Sequence, residues 1–239
     1  DNQLFVCGMP RLDKFHSLRR LNGPPKSRPS VLFFGFSQFT GLPRVPLKTG
    51  DHRIVEYKYR NQKEAQLQWR QLFTEYYRSL LACCKSCPDT DFFLKFKSRP
   101  QDYSAALNLI QSLGTPKNLN LVLKGDSFPL VENSNIIVGF NTTGILEGLA
   151  AGRKVIVPDF AECKNKDYAP FIPSFGKAVI RAKSSEELVG TVVNYVREKI
   201  PTTKLLNKET TKELNVWVGN SDGHSGYRLK QILETAFDL

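Results

Sequence analysis

Asn141-Thr142-Thr143-Gly144 is a short polar stretch between apolar runs, and Glu147 follows it at helical spacing. Ahead of it, residues 136–138 are apolar and β-branched. Behind it, residues 145–151 are apolar apart from Glu147 and include small side chains, Gly152 stops the run, and residues 155–158 form a second apolar run. This pattern reads as strand, turn, helix, strand, a parallel βαβ unit. Its turn lies where a strand's carboxyl end meets a helix's amino end. Unpaired backbone N–H groups and the helix dipole attract an anion there, and the Thr142 and Thr143 hydroxyls add donors. Read alone, a threonine at this place is the more ordinary helix cap, and the anion reading draws on the residues that could join it.

Other residues could join such a site. Lys97-Ser98-Arg99 follows residues 92–96, at the carboxyl end of a second expected strand. Lys97 as a point charge and Arg99 as a paired donor could neutralise phosphate, or both could be solvated loop charges. Phe36 and Ser37 follow a third apolar run, 31–35, in a loop that faces the ligand crevice of a doubly wound sheet. There Phe36 either contacts a base or continues the core. Asp89-Thr90-Asp91 is a D-x-D triplet of the kind that holds a divalent metal, but it leads into a strand at the sheet's amino end. It reads as a turn, and no metal is expected. Cys84 and Cys87 form C-x-x-C at the end of a helix, where no dipole lowers a thiol pKa, and no second Cys/His pair completes a zinc site; they read as inert. Asp13 is either a carboxylate serving as base or nucleophile, or the cap of a helix begun by Lys14.

Residues 146–158 resemble the L-E-A-x-A-x-G-x-P-V-I stretch of the C-terminal, nucleotide-sugar-binding half of GT-B glycosyltransferases, with Lys154 where proline is usual. Residues 139–144 are most similar to bacterial surface and capsular polysaccharide transferases of the CDP-glycerol and CMP-Kdo type. Three further patches resemble the same enzymes in the same order. One is Gly8-x-Pro10-Arg11-x-Asp13. Another is Lys97-Ser98-Arg99-Pro100, with Ser98 where a histidine is usual. The third is Gly219-x-x-Asp222-Gly223-x-x-x-x-Arg228. The resemblance implies that Glu147 holds the donor's ribose and that Asn141, Thr142, Thr143 and Gly144 hold its phosphates, with Phe36, Ser37, Lys97, Ser98 and Arg99 completing the donor site. It places Asp13 at the mouth of an interdomain cleft as the catalytic carboxylate. Phe160 would flank the base and Glu162 would face the sugar. The implied substrate is a CMP-, CDP- or UDP-linked donor, used without cofactor or metal, and the acceptor is a glycan or glycolipid of the bacterial surface, such as lipopolysaccharide or capsule. Two rival readings stand beside it: a UDP-sugar 2-epimerase of the same architecture, and a noncatalytic binding lobe of a larger enzyme.

The elements that must position these residues follow from periodicity. Residues 4–8 read as a strand, 22–29 as a proline- and glycine-rich linker, and 39–60 as a long functional loop. One helix is expected over 63–83, a helix over 103–113, a strand over 119–123, a short helix over 129–133 and a strand over 177–180. Ser184 should cap the next helix, and a last helix carries Leu229, Ile232, Leu233 and Phe237 on one side. The fold expected is α/β, a Rossmann-like parallel sheet with helices on both faces. Its parts would be a junction segment (1–28), the nucleotide-sugar-binding domain (29–200) and a helical tail (201–239) that crosses to a missing N-terminal lobe.

At 239 residues and 41% apolar composition the chain can bury a real core. Its net charge of +11 implies anionic company. Lys and Arg are spread rather than blocked and no nucleic-acid motif is readable, so nucleotides, an anionic glycan or peripheral contact with an anionic inner membrane are expected, and nucleic acid is not. Five cysteines without framework spacing point to a reducing cytoplasm.

Overall fold

The computed structural model describes residues 5–19, 29–43, 45–47, 56–58, 62–97, 100–198 and 206–237. The order of elements is α1 (Asp13–Ser17), β1 (Ser30–Phe34), β2 (Val45–Leu47), β3 (Glu56–Lys58), α2 (Gln62–Ala65), α3 (Arg70–Ser86), β4 (Asp91–Lys95), α4 (Pro100–Leu113), β5 (Leu119–Val122), α5 (Phe128–Asn133), β6 (Ile136–Val138), α6 (Gly144–Ala150), β7 (Lys154–Pro158), β8 (Ile180–Ala182), α7 (Ser185–Arg197), α8 (Lys208–Val218) and α9 (Ser225–Phe237). Six strands form one parallel sheet in the order β5-β4-β1-β6-β7-β8, and β2 and β3 pair apart from it as an antiparallel ribbon.

Both faces of the sheet are covered, so the central strands β1 and β6 are buried along their whole length instead of alternating. Val31 and Phe33 of β1 point to a layer that includes α3 and α7, while Leu32 and Phe34 point to one that includes α1, α6 and α8. The second layer joins Leu12, Phe15 and Leu18 from the N-terminal segment to Leu214 and Val218 near the other end of the chain. The expected linker lies outside the described residues apart from Pro29.

The central βαβ unit forms where the pattern placed it. Gly152 has φ +68°, donates to the Leu149 carbonyl at 3.0 Å, and is followed by Arg153 donating to the Gly148 carbonyl at 2.9 Å. That double closure ends α6 and lets the chain turn directly into β7. Gly144 opens the helix because nothing larger fits: a Cβ there would lie 2.4 Å from the Phe34 ring.

Three expectations shift. Residues 5–9 join no sheet. The single helix expected over 63–83 is broken into α2 and α3, because tertiary bonds capture the backbone between them. The Tyr168 hydroxyl accepts from the Gln68 N–H and donates to its carbonyl, Trp69 N–H donates to the Gln38 carbonyl, and the buried indole donates to the Thr40 carbonyl at 2.8 Å. The last strand forms at 180–182, three residues later than the apolar run that signalled it.

Candidate functional site

Strand order reverses between β1 and β6: from β1 the sheet grows through β4 to β5 on one side, and the chain then returns to the other side as β6. Carboxyl ends of strands diverge at such a point and leave a crevice. A cleft of about 850 Å³ opens there. The end of β1 contributes Phe34 to Ser37, the end of β4 contributes Lys95 to Lys97, and the turn after β6 contributes Phe140 to Gly144. Residues 125–127 form one wall, and Glu147 looks in from the first turn of α6. The expected donor residues Phe36, Ser37, Lys97, Asn141, Thr142, Thr143, Gly144 and Glu147 thus come together, while Ser98 and Arg99 lie outside the described residues.

The strand ends are held from beneath by two buried tyrosines of α3. Tyr76 donates to the Phe34 carbonyl at 2.9 Å, and Tyr77 both donates to the Phe36 carbonyl at 2.9 Å and accepts from the Phe36 N–H at 3.0 Å. Burial pushes both phenols well up, so they remain neutral hydroxyls. The Phe36 ring itself packs among Phe73, Tyr76, Tyr77 and Phe140, which is the core alternative for that residue. Ser37 is folded back, its N–H donating to the Thr40 hydroxyl at 3.0 Å.

The turn before α6 differs in detail from the expectation of open amides. Gly144 N–H is taken by the Thr142 hydroxyl at 3.2 Å and Ile145 N–H by the Thr142 carbonyl at 3.2 Å. Thr142 therefore caps locally, and Thr143 is exposed with no side-chain cap bond. Asn141 sits at φ +44° and donates to the Phe171 carbonyl at 2.9 Å, which pins the bend from the far side.

Glu147 is nearly buried, its side chain 5% exposed, and both oxygens are engaged. Arg11 donates to one at 2.6 Å and the Ser127 hydroxyl to the other at 2.6 Å, so the carboxylate is oriented and left with one accepting site per oxygen. The same Arg11 nitrogen lies 3.4 Å from the Thr143 hydroxyl. Three residues further along, Lys14 pairs with Asp126 at 2.6 Å and holds that carboxyl below its usual range. The N-terminal segment thus bolts two carboxylates of the cleft in place.

Three expected site residues have other tasks. Asp13 accepts the Ser225 N–H at 3.1 Å and the Gly226 N–H at 2.7 Å, capping α9 and not α1. Glu162 accepts the Gln71 and Leu72 N–H groups, both at 2.7 Å, and caps α3. Phe160 is buried in the core. The patches around Asp13 and Asp222 are neighbours at the α9 start, where Asp222 accepts the His224 N–H at 2.9 Å and pairs with Arg228. D-x-D forms a turn, with Thr90 N–H closing on the Cys87 carbonyl. Burial pushes the Cys84 thiol up to about 12 and raises Cys83 and Cys87, so none is activated. Among the described residues no group of three or more His, Cys, Asp or Glu could hold a metal, and no helix is long and apolar enough to cross a membrane.

Sequence reasoning missed Arg11 as a partner of Glu147, and it missed Lys95, Asp126 and Ser127. For Lys95 a signal existed: a cation ends the otherwise apolar run Phe92-Phe93-Leu94 and is buried there.

No family model and no curated protein matches the sequence. Among solved structures, the fold is similar to that of a protein described as a UDP-N-acetylglucosamine 2-epimerase from Listeria monocytogenes, with a TM-score of 0.50 and 12% identity over 98% of this chain and 54% of that one. It is equally similar to the wall teichoic acid polymerase TagF, with a TM-score of 0.50 and 11% identity over 98% of this chain and 52% of that one. The chain spans about half the length of each. The likeness establishes a Rossmann-like α/β lobe, the fold that the resemblance to GT-B transferases implied.

Proposed function

We propose that this chain is the donor-binding lobe of a GT-B-type glycosyltransferase that moves a sugar or polyol phosphate from a cytidine- or uridine-nucleotide donor to a bacterial surface glycan without a metal. One observation carries the reading: the cleft at the switch point gathers an anchored carboxylate, a hydroxyl-bearing turn and lysines at a single carboxyl edge. In this reading Glu147 accepts the ribose hydroxyls through its remaining lone pairs. The Thr143 hydroxyl and Lys97 meet the phosphates, where fixed donors and cations stabilise the charge that develops as the phosphate departs. Asp13, with both oxygens on α9 amides, acts in this scheme as the clamp that joins the N-terminal segment to the tail. The carboxylate that activates the acceptor is assigned to a second lobe, together with most of the acceptor site. TagF, by its name a wall teichoic acid polymerase, fits this reading.

The likeness to a 2-epimerase supports a second reading on the same lobe, in which the donor is converted without an acceptor. Such chemistry needs acids and bases around the sugar, and no histidine among the described residues lines the cleft.

A thermal-shift panel of CMP, CDP, UMP, UDP and GDP tests the proposal. A pyrimidine nucleotide at about a hundred times its dissociation constant stabilises the folded form by about 2.7 kcal/mol, and GDP is expected to do less. Loss of the Thr143 hydroxyl in Thr143→Ala should reduce the shift. An unmoved melting point with all five nucleotides sinks the donor reading, and epimerised donor formed without acceptor selects the epimerase.

A further inference from the structure

Lys95 has the chemistry of a site element that no other described residue accounts for. It is the last residue of β4, 7% exposed, and it lines the floor of the cleft. Its ammonium carries three donors. One is given to the adjacent Phe96 carbonyl, and among the described residues Lys95 makes no ion pair. A buried ammonium with donors to spare is costly unless something anionic meets it.

The surrounding charges do not fill that role. The carboxylates of Glu147 and Asp126 act on Lys95 through space, but each is already matched, Glu147 by Arg11 and Asp126 by Lys14. The two pairs cancel, and Lys95 and Lys97 are left as the uncompensated cations of the described cleft. They differ in setting. Lys97 is exposed, so water and salt screen it, whereas Lys95 is shielded, and burial pushes its amine down while the two carboxylates hold it up. An incoming anion over the end of β4 would meet a strong, fixed donor at Lys95.

We propose that Lys95 is the anion-binding residue of the cleft, which seats the phosphate of the nucleotide over the carboxyl end of β4, beside the carboxylate that Arg11 and Ser127 orient. This rests on the donor-binding reading above and adds to it the place and partner of the phosphate. The turn before α6 then positions the nucleotide, and Lys95 supplies the charge.

The test compares a nucleotide with its nucleoside, since the two differ by the phosphate alone. CMP, cytidine, UMP and uridine are titrated calorimetrically into the wild-type chain, Lys95→Met and Lys97→Met. Methionine keeps the length of the stem, and circular dichroism with thermal melting establishes that each variant is folded. Lys95→Met is expected to weaken CMP or UMP binding about ten- to a hundredfold and to leave cytidine or uridine unchanged. Lys97→Met should cost less, with a loss that vanishes in high salt. Lys95→Arg should restore part of the preference for nucleotide, which a packing role would not do. A preference kept in full by folded Lys95→Met overturns the proposal, as does a wild-type chain that binds nucleoside and nucleotide alike. If none of the four ligands binds, the donor reading fails, and titration with inorganic pyrophosphate decides Lys95 separately. Pyrophosphate binding lost in Lys95→Met upholds the anion site, and its absence in the wild type overturns it. If Lys95→Met does not fold, the polar, uncharged Lys95→Gln is titrated in its place: a lost preference for nucleotide over nucleoside supports the site, and a preference kept in full by the folded Gln variant overturns it.

Discussion

Glu147 shows what a single side chain needs before it can bind anything. Its carboxylate is 5% exposed, burial that is costly for a polar group without partners, and here Arg11 and Ser127 match one oxygen each. Orientation follows from the same bonds, because a carboxylate fixed at both oxygens presents its remaining lone pairs in one direction. Asp222 shows the opposite setting, an exposed carboxylate paired with Arg228 and held down to about 2. Its folded value lies below the unfolded one of about 3.9. The pair therefore stabilises the fold fully above that value, and the contribution is lost as pH falls toward the folded one. Both partners are more than a third exposed, so solvent screening keeps the contribution small. Asp222→Asn is expected to remove this part of the pH dependence. Urea-unfolding midpoints measured between about pH 4 and pH 2 should fall less steeply in the variant than in the wild type; parallel profiles would show that the pair contributes nothing to the fold.

Elements here are terminated by residues far away in sequence. The start of α3 is capped by Glu162 and the start of α9 by Asp13, so two carboxylates that look chemical on the page serve backbone amides instead. A helix start has amides without intrahelical partners, and a carboxylate there gains both hydrogen bonds and the favourable end of the dipole. Asp13→Ala is expected to cost about 0.5–2 kcal/mol, with loss of protection concentrated in the first turn of α9. Hydrogen exchange of the Ser225 and Gly226 amides checks it: unchanged exchange there, with a global loss instead, would point away from capping. Gly8 shows how tightly the two ends meet, since at φ +85° a Cβ would stand 2.6 Å from the Ser225 hydroxyl.

At the scale of the whole molecule, the N-terminal segment is part of the core. Leu12, Phe15 and Leu18 are 2%, 1% and 6% exposed and share a cluster with β1, α6 and α8. Three buried side chains of this size are worth about 4.5–9 kcal/mol in transfer terms, an upper bracket that is a large share of a domain's net stability. Deletion of residues 5–19 also strips Glu147 and Asp126 of their cations. The shortened chain is expected to unfold at much lower urea than the wild type and to lose nucleotide affinity with it. An unshifted midpoint would mean that the segment adds nothing to the fold.

The central βαβ unit, the apolar strands and the capped start of α7 were legible in the sequence, because side-chain periodicity, a glycine stop and a serine cap act over a few residues. So was the gathering of the 141–144 turn, Glu147 and Lys97 at one edge, which follows from parallel connectivity alone. Tertiary structure decided the rest. Arg11 and Glu147 stand 136 residues apart, and no local pattern tells a carboxylate that caps a distant helix from one that faces a ligand. The break before α3 and the burial of Lys95 likewise depend on what packs against them, and that is settled only when the sheet closes and its strand ends meet.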